Sequence, residues 1–195
     1  PDNLDLLRQS GAEIVTFSPL NDSALPDPCH MIYIGGGYPE VYAEKLSSNT
    51  AMRNALLAAH QRGIPVYAEC GGLMYLGETL TDSSGNTFPM TGIIAGHSTM
   101  GNRLKRFGYC EGSALTDTTL VRAGERLRGH EFHYSDFATD LPPAFEFIKE
   151  RDGEILKRWH GGYQVGNTFA GYLHVHFAQR PGLLDHWFAL ARSVL

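Results

Sequence analysis

In "NTAMRNALLAAH", residues 49–60, the apolar positions Met52, Ala55, Leu56 and Ala59 recur at the i, i+3, i+4, i+7 spacing that lines one face of an α-helix. Serine and asparagine precede this run and Gly63 follows it, the residue types that cap a helix start and close a helix end. Around it, "LDLLRQSG" reads as a short helix closed by Gly11 and "AEIVTFSP" as a strand. "HMIYIGG" reads as an apolar strand running into glycines, and "IPVYA" as a short buried strand. Strands that alternate with helices predict a parallel sheet, and such sheets bind ligands beyond the carboxyl ends of their strands. The two glycine-rich turns of this half, at Gly35–Gly37 and Gly71–Gly72, stand at those ends.

Beyond Gly77 the rhythm changes. Short apolar stretches separated by "DSSGN", "RDGE" and "HGGYQVGN" predict hairpins, so the parallel sheet is expected to gain antiparallel strands. "RPGLLDHWFALARSVL" predicts a closing amphipathic helix with Pro181 in its first turn and Leu184, Trp187, Phe188 and Ala191 on one core-facing side.

Composition narrows the classes of function. A chain of 195 residues that is 43% apolar is expected to form one domain, large enough to bury roughly two-thirds of its unfolded surface without metals or disulfides. A net charge of -5 and the lack of a basic stripe argue against a nucleic-acid partner. No apolar run approaches the roughly 18 residues of a membrane span, and the start carries no secretory pattern. Three cysteines at unrelated spacings, Cys29, Cys70 and Cys110, make no disulfide framework and fit a reducing, cytoplasmic setting. Pro1 opens almost directly onto a helix, which leads to the expectation of a fragment of a longer protein.

The chemistry gathers around "AECGGLMYL", residues 68–76. A nucleophile lifted on a strand-to-helix elbow needs very small neighbours, and Ala68 and Gly72 flank Cys70 at two residues on either side. A helix beginning just after it would turn free N–H groups toward the sulfur. A thiolate attacking a carbonyl also needs donors for the oxyanion and a base. Backbone amides of Gly35–Gly37 and Gly71 are the candidate donors. The triple glycine lacks the Lys-Ser/Thr of a phosphate loop and the spacing of G-x-G-x-x-G. In "GYLHVHF" a period of two places His174 and His176 on the same side of a strand. His-x-His is also a zinc spacing, to which Cys70 or "GHEFH" could add ligands, although His130 and His133 are not spaced as H-E-x-x-H. Cys29 and Cys110 read as structural.

Together "PDNLDLL", "GGGYPE", "AECGGLMYL", "GHEFHYSD" and "GYLHVHF" resemble the class I glutamine amidotransferases, and within them the branch that serves cobyrinate- and cobyric-acid-type synthases. The resemblance spans nearly the whole chain. It implies a flavodoxin-like α/β fold: a mostly parallel sheet with added antiparallel strands and helices on both faces. It implies that Cys70 attacks L-glutamine to form a γ-glutamyl thioester, that His174 is its partner, and that Gly36 or Gly37 with Gly71 form the oxyanion hole. It also implies an N-terminal synthetase domain, absent here together with the fold's first strand, that would use ATP and magnesium. Ammonia from Cys70 would then amidate the a and c carboxylates of cobyrinic acid in cobalamin biosynthesis. No cofactor or metal is expected in the chain itself.

The chain departs from the wider family where an acid normally stands two residues after the histidine, because that position is His176. A neutral imidazole supplies no charge to stabilise an imidazolium, so weak activity is expected of the chain alone. Glu131, Glu69, His176 itself or a residue of the partner domain are the candidate orienting or supporting groups. Arg103 and Arg106 are candidates for the glutamine carboxylate. Without its first strand the sheet is expected to show a free edge. A cysteine hydrolase or peptidase on the same scaffold, or a non-catalytic interaction module, are the alternatives.

Overall fold

A computed structural model describes residues 2–195 and places them in three sheets. The first has the order β1-β2-β12-β11, with β1 Ile32–Ile34, β2 Val66–Glu69, β12 Thr168–Gly171 and β11 Tyr163–Val165. β2 pairs in parallel with both β1 and β12, and all four of its residues are buried. A strand hidden on both faces can be apolar throughout, which is what "VYAE" is until its last residue.

Alternation along this sheet feeds two cores. Ile32, Val66, Ala68 and Ala170 pack on one side with Met52, Leu56 and Ala59 of α3 (Thr50–Gln61) and with α4 (Gly71–Leu76). Tyr67 and Phe169 face the other side, toward Leu7 of α1 (Asp2–Gln9) and Trp187 of α5 (Asp185–Ser193), so helices cover both faces. α2 (Ala43–Ser48) leads into α3. The Asn49 side chain accepts a hydrogen bond from the Met52 N–H, as the capping residues led one to expect, and Gly63 ends the turn at φ 82°. Met52 and Leu56 are wholly buried, each such burial contributing about 1.5–3 kcal/mol.

The second sheet is antiparallel throughout, in the order β10-β9-β6-β7-β13. Its strands are β6 Arg106–Ala114, β7 Arg126–His133, β9 Phe145–Arg151, β10 Glu154–Gly161 and β13 His174–Val175. The third, β4-β3-β5-β8, joins Thr87–Pro89, Thr79–Thr81, His97–Met100 and Ser135–Ala138. The three turns read from the sequence close hairpins β3–β4, β9–β10 and β11–β12. In the second, Asp152 and Gly153 have φ of 51° and 84°, the left-handed pair that matches strand twist.

Three expectations change. "AEIVTFSP" forms no strand: Ile14 packs toward one core and Phe17 toward the other, but the segment joins no ladder. β1 therefore lies at the sheet edge, paired only with β2. The closing helix starts at Asp185 rather than at Pro181, because residues 181–184 form a turn. Of "GYLHVHF" Gly171 ends β12 and only His174 and Val175 form a further strand, yet its alternation persists, with Leu173, Val175 and Phe177 buried, His174 half-buried and His176 exposed. Among the described residues no helix is long and apolar enough to cross a membrane.

Candidate active site

Cys70 stands between β2 and α4 with φ 51° and ψ -106°. Among the described residues it shares a positive φ with only one other non-glycine, Asp152. Such a backbone costs on the order of 1–3 kcal/mol and persists only where its surroundings over-determine it. Here the Cys70 N–H donates to the Gly171 carbonyl at 2.7 Å and the Cys70 carbonyl accepts the Leu73 N–H at 3.0 Å, tying the corner to β12 and to the first turn of α4. A side chain at Gly72 would lie 3.0 Å from the Ile34 carbonyl and 3.1 Å from the Ala68 methyl. The small residues read from the sequence are therefore there because the strand, the elbow and the neighbouring β1 meet without spare room.

The glycine loop closes on the same point. A Cβ on Gly71 would stand 2.8 Å from the Gly37 carbonyl, and one on Gly36 would stand 2.6 Å from Cε1 of His174. Gly36, Gly37, Gly71 and His174 are thus brought together around Cys70. None of these glycines needs a left-handed φ. Glycine is demanded at 36 and 71 by close approach, whereas Gly35 and Gly37 face open space.

His174 reaches the site from β13, which is held on two sides. His174 pairs with His130 and Val175 with Gly129 of β7. Asn3 of α1 donates to the Val175 carbonyl at 2.7 Å and accepts the Phe177 N–H at 2.8 Å. Hydrogen bonds to Cys70 and then to Glu69 push the His174 imidazole up to about 10, against the opposing effect of its partial burial. The Cys70 thiol also faces the Phe132 carbonyl of β7 at 3.8 Å.

Glu69 is the buried anchor of the arrangement. Its carboxylate lies 3.5 Å from His174 Nδ1 and accepts the Tyr33 hydroxyl at 3.2 Å, the Tyr67 hydroxyl at 3.0 Å and the Val175 N–H at 3.1 Å. Only 4% of Glu69 is exposed, and a carboxylate so placed is costly unless its oxygens are bonded. Burial, then the Glu69 charge, raises both tyrosines above their ordinary range. They therefore stay protonated and donate. A cavity of about 980 Å³ opens beside this group, lined by Glu69, His174, Tyr33, His130, Tyr109 and Asn3 among others.

Residues 2–182 match the model of the CobB/CobQ-like glutamine amidotransferase domain family. The chain belongs to that family. It is 62% identical over 195 residues to a cobyrinate a,c-diamide synthase of Salmonella typhimurium, covering 100% of this chain and 42% of that protein. It is 51% identical over 191 residues to the enzyme of the same name from Listeria innocua, covering 98% and 42%. The chain thus spans 42% of the length of these curated relatives. The fold is shared with a glutamine amidotransferase crystal structure at TM-score 0.63 and 13% identity, over 98% of this chain and 93% of that one. A glutamine amidotransferase from Thermotoga maritima gives TM-score 0.55 and 14% identity, over 97% and 75%.

As a member of the amidotransferase family the chain carries its other candidate residues in places that correct the sequence reading. His176 does not touch His174: its Nε2 lies 3.4 Å from Asp2, and its Nδ1 accepts the Ala178 N–H at the start of a short 3-10 turn. Two residues along a strand are about 6.6 Å apart, too far for the two rings to orient each other. Glu131 is buried but pairs with His133 at 3.4 Å, and the His133 ring stacks on Tyr172 at 3.6 Å. Of the candidate orienting groups in the chain, Glu69 alone is in contact with His174. The Arg106 guanidinium lies 4.9 Å over the ring of Trp159. Arg103 is exposed on the loop 101–105, which Gly101 and Lys105 tie to the Tyr134 and His133 carbonyls, and its guanidinium makes no hydrogen bond or ion pair among the described residues. Among those residues no three His, Cys, Asp or Glu side chains are grouped for a metal ion.

Tyr33 and Tyr67 were missed as site residues. Each is a hydroxyl-bearing side chain inside an apolar strand, and the two are direct partners in the β1–β2 register. Two such residues at matching positions are a legible sign of a shared buried acceptor.

Proposed function

We propose that the chain hydrolyses L-glutamine and supplies the ammonia to an ATP-dependent synthetase formed by the rest of a longer polypeptide. The Cys70 sulfur attacks the carboxamide carbon, and the oxygen's developing charge is met by backbone N–H groups of Gly71 and the Gly36–Gly37 loop. The C–N bond then breaks, His174 passes its proton to the leaving nitrogen, and ammonia departs from a γ-glutamyl thioester. Neutral His174 next takes a proton from water, whose oxygen attacks the thioester carbon; the sulfur leaves with its electron pair and glutamate is released.

The observation that carries this reading is the pair itself. His174 bonded to Cys70 and backed by Glu69 has its pKa raised to about 10, so at neutral pH it already holds the proton the leaving nitrogen needs. Glu69 serves as the orienting acid and stabilises the imidazolium. It does so from the position before the nucleophile rather than from a position after the histidine. Of the two arginines read from the sequence, Arg103, exposed on its loop, is the one proposed for the glutamine carboxylate.

The similarity to cobyrinate a,c-diamide synthases supports the acceptor. In the whole polypeptide the a and c carboxylates of cobyrinic acid would be activated with ATP and magnesium outside this chain, in the cytoplasm, during cobalamin biosynthesis. Glutamate release is the test. Cys70→Ala and His174→Ala are expected to abolish it and His176→Ala to retain it; a dead His176→Ala with an active His174→Ala would reverse the roles. Turnover of peptides or esters without glutamine would instead favour a cysteine hydrolase.

A further inference from the structure

Beside the cavity, strands β6 and β7 carry aromatic side chains on their outer face. Phe107 pairs with Phe132 across the ladder and Tyr109 with His130, and His130 in turn pairs with His174 of β13. The rings interlock edge to face: Phe107 with Phe132 at 6.0 Å between centroids, Tyr109 with His130 at 5.3 Å, and Phe132 with Tyr134 at 5.7 Å. Yet Phe107 is 62% exposed, Tyr109 69%, Phe132 38% and Tyr134 40%.

With side chains on the order of 150–250 Å² each, these exposures leave a few hundred Å² of contiguous aromatic surface, the scale at which a patch marks an interaction site. The apolar character is local. Further along the same face the register pairs Glu111 with Arg128, and Arg126 reaches Glu111 at 3.0 Å, an ordinary solvated strand surface. Only the end next to the active site is aromatic, where the Phe132 carbonyl faces Cys70 and where Tyr109 and His130 share a cavity with His174.

We infer that this aromatic ladder is the docking face for the synthetase part of the same polypeptide. The inference rests on the glutaminase reading above. The curated relatives are longer, with this chain spanning 42% of their length, so the remainder must pack somewhere. Ammonia released into water at neutral pH is protonated and loses its nucleophilicity, which requires the acceptor to cover the place of release. His174, the proton donor to the leaving nitrogen, lines the cavity that the ladder flanks. Asp2, Asn3 and Leu4 line that cavity too, so a polypeptide joined ahead of α1 would begin at its rim.

Two measurements on the full-length polypeptide test this. With Phe107→benzoylphenylalanine, irradiation and peptide mapping are expected to show a crosslink within one polypeptide to a segment outside these 195 residues. Crosslinks confined to these residues, crosslinks to a second copy, or none at all would overturn the assignment. With Phe107→Ser and Tyr134→Ser combined, glutamine hydrolysis is expected to persist while amide formed per glutamine consumed falls about fivefold or more, and amidation driven by added ammonium salt stays unchanged. An unaltered ratio would likewise overturn it. Should the unmodified polypeptide hydrolyse no glutamine, the functional reading fails, while the crosslink map still decides the docking face.

Discussion

Cys70 and His174 arrive at one point from two differently built regions. The sulfur stands at the end of β2, a strand buried on both faces, on a corner where Gly72, Gly71, Ala68 and the loop carbonyls leave no room for another methyl. The imidazole stands on a two-residue strand at the edge of an antiparallel sheet whose outer surface is open to water. Close packing fixes the first at the expense of backbone strain, while charge and hydrogen bonding fix the second through Glu69 and the Asn3 side chain. The difference teaches that changes near the elbow should act by collision, and changes near the histidine by shifting its titration and its aim.

The largest effect is expected on the histidine side. Glu69→Gln removes the negative charge while keeping the shape, and should lower glutamine hydrolysis on the order of 10²–10⁴-fold, mostly in kcat. In the same variant the His174 titration followed by NMR should fall from about 10 toward its ordinary value. An unchanged titration would show that Glu69 is only structural. On the elbow side Gly36→Ala should cost about 10²-fold, because the new methyl lies 2.6 Å from His174 Cε1 and must displace the ring; wild-type turnover in this variant would count against the close approach.

The pH dependence separates the two regions further. The folded-state pKa of His174 is raised above its unfolded value, so its stabilising contribution is complete below about 6.5 and disappears as pH climbs to about 10. Hydrolysis should share that alkaline limit and should not fall near pH 6.5. In Glu69→Gln the limit should move to lower pH, while in a buried-core variant such as Leu56→Ala it should stay in place despite a loss of about 2–5 kcal/mol in stability. A smaller effect on stability is expected from Cys70→Gly. Relieving the positive φ should stabilise the fold by about 1 kcal/mol as activity vanishes, measurable by urea unfolding. The smallest is His176→Ala, expected within about threefold of wild type because its ring serves Asp2 and the Ala178 N–H.

Much of the elbow was legible from local pattern alone. Small residues around Cys70, an apolar strand before it and a capped helix upstream are properties of short windows, and each reappears in the structure. The buried Leu173, Val175 and Phe177 and the less buried histidines between them also followed from alternation, even though little ladder forms there. The orienting group was not singled out, because Glu69 meets His174 only through the register of β1, β2 and β13 and the placement of Asn3, all set by long-range pairing. His176 was attractive for its nearness to His174 along the chain, but a strand spreads neighbours apart and its ring meets Asp2 instead; Glu131, an acid in "GHEFH", pairs with its own neighbour His133. "AEIVTFSP" had the pattern of a strand without a ladder to join. The aromatic ladder was spread over "RFGY" and "HEFHY", which sit far apart in sequence and meet only as β6 and β7.

The central claim is that the Cys70 sulfur attacks the glutamine carbon with His174 beside it. Treating the protein with a glutamine-like chloroketone and mapping the adduct by mass spectrometry tests it most directly. Burial raises the other two thiols, Cys110 up to about 12 with help from Glu131, so they should stay inert. The expected result is a single adduct on Cys70 that L-glutamine prevents and that forms far more slowly in His174→Ala. An adduct on Cys29 or Cys110 instead, or no labelled thiol, would contradict the account.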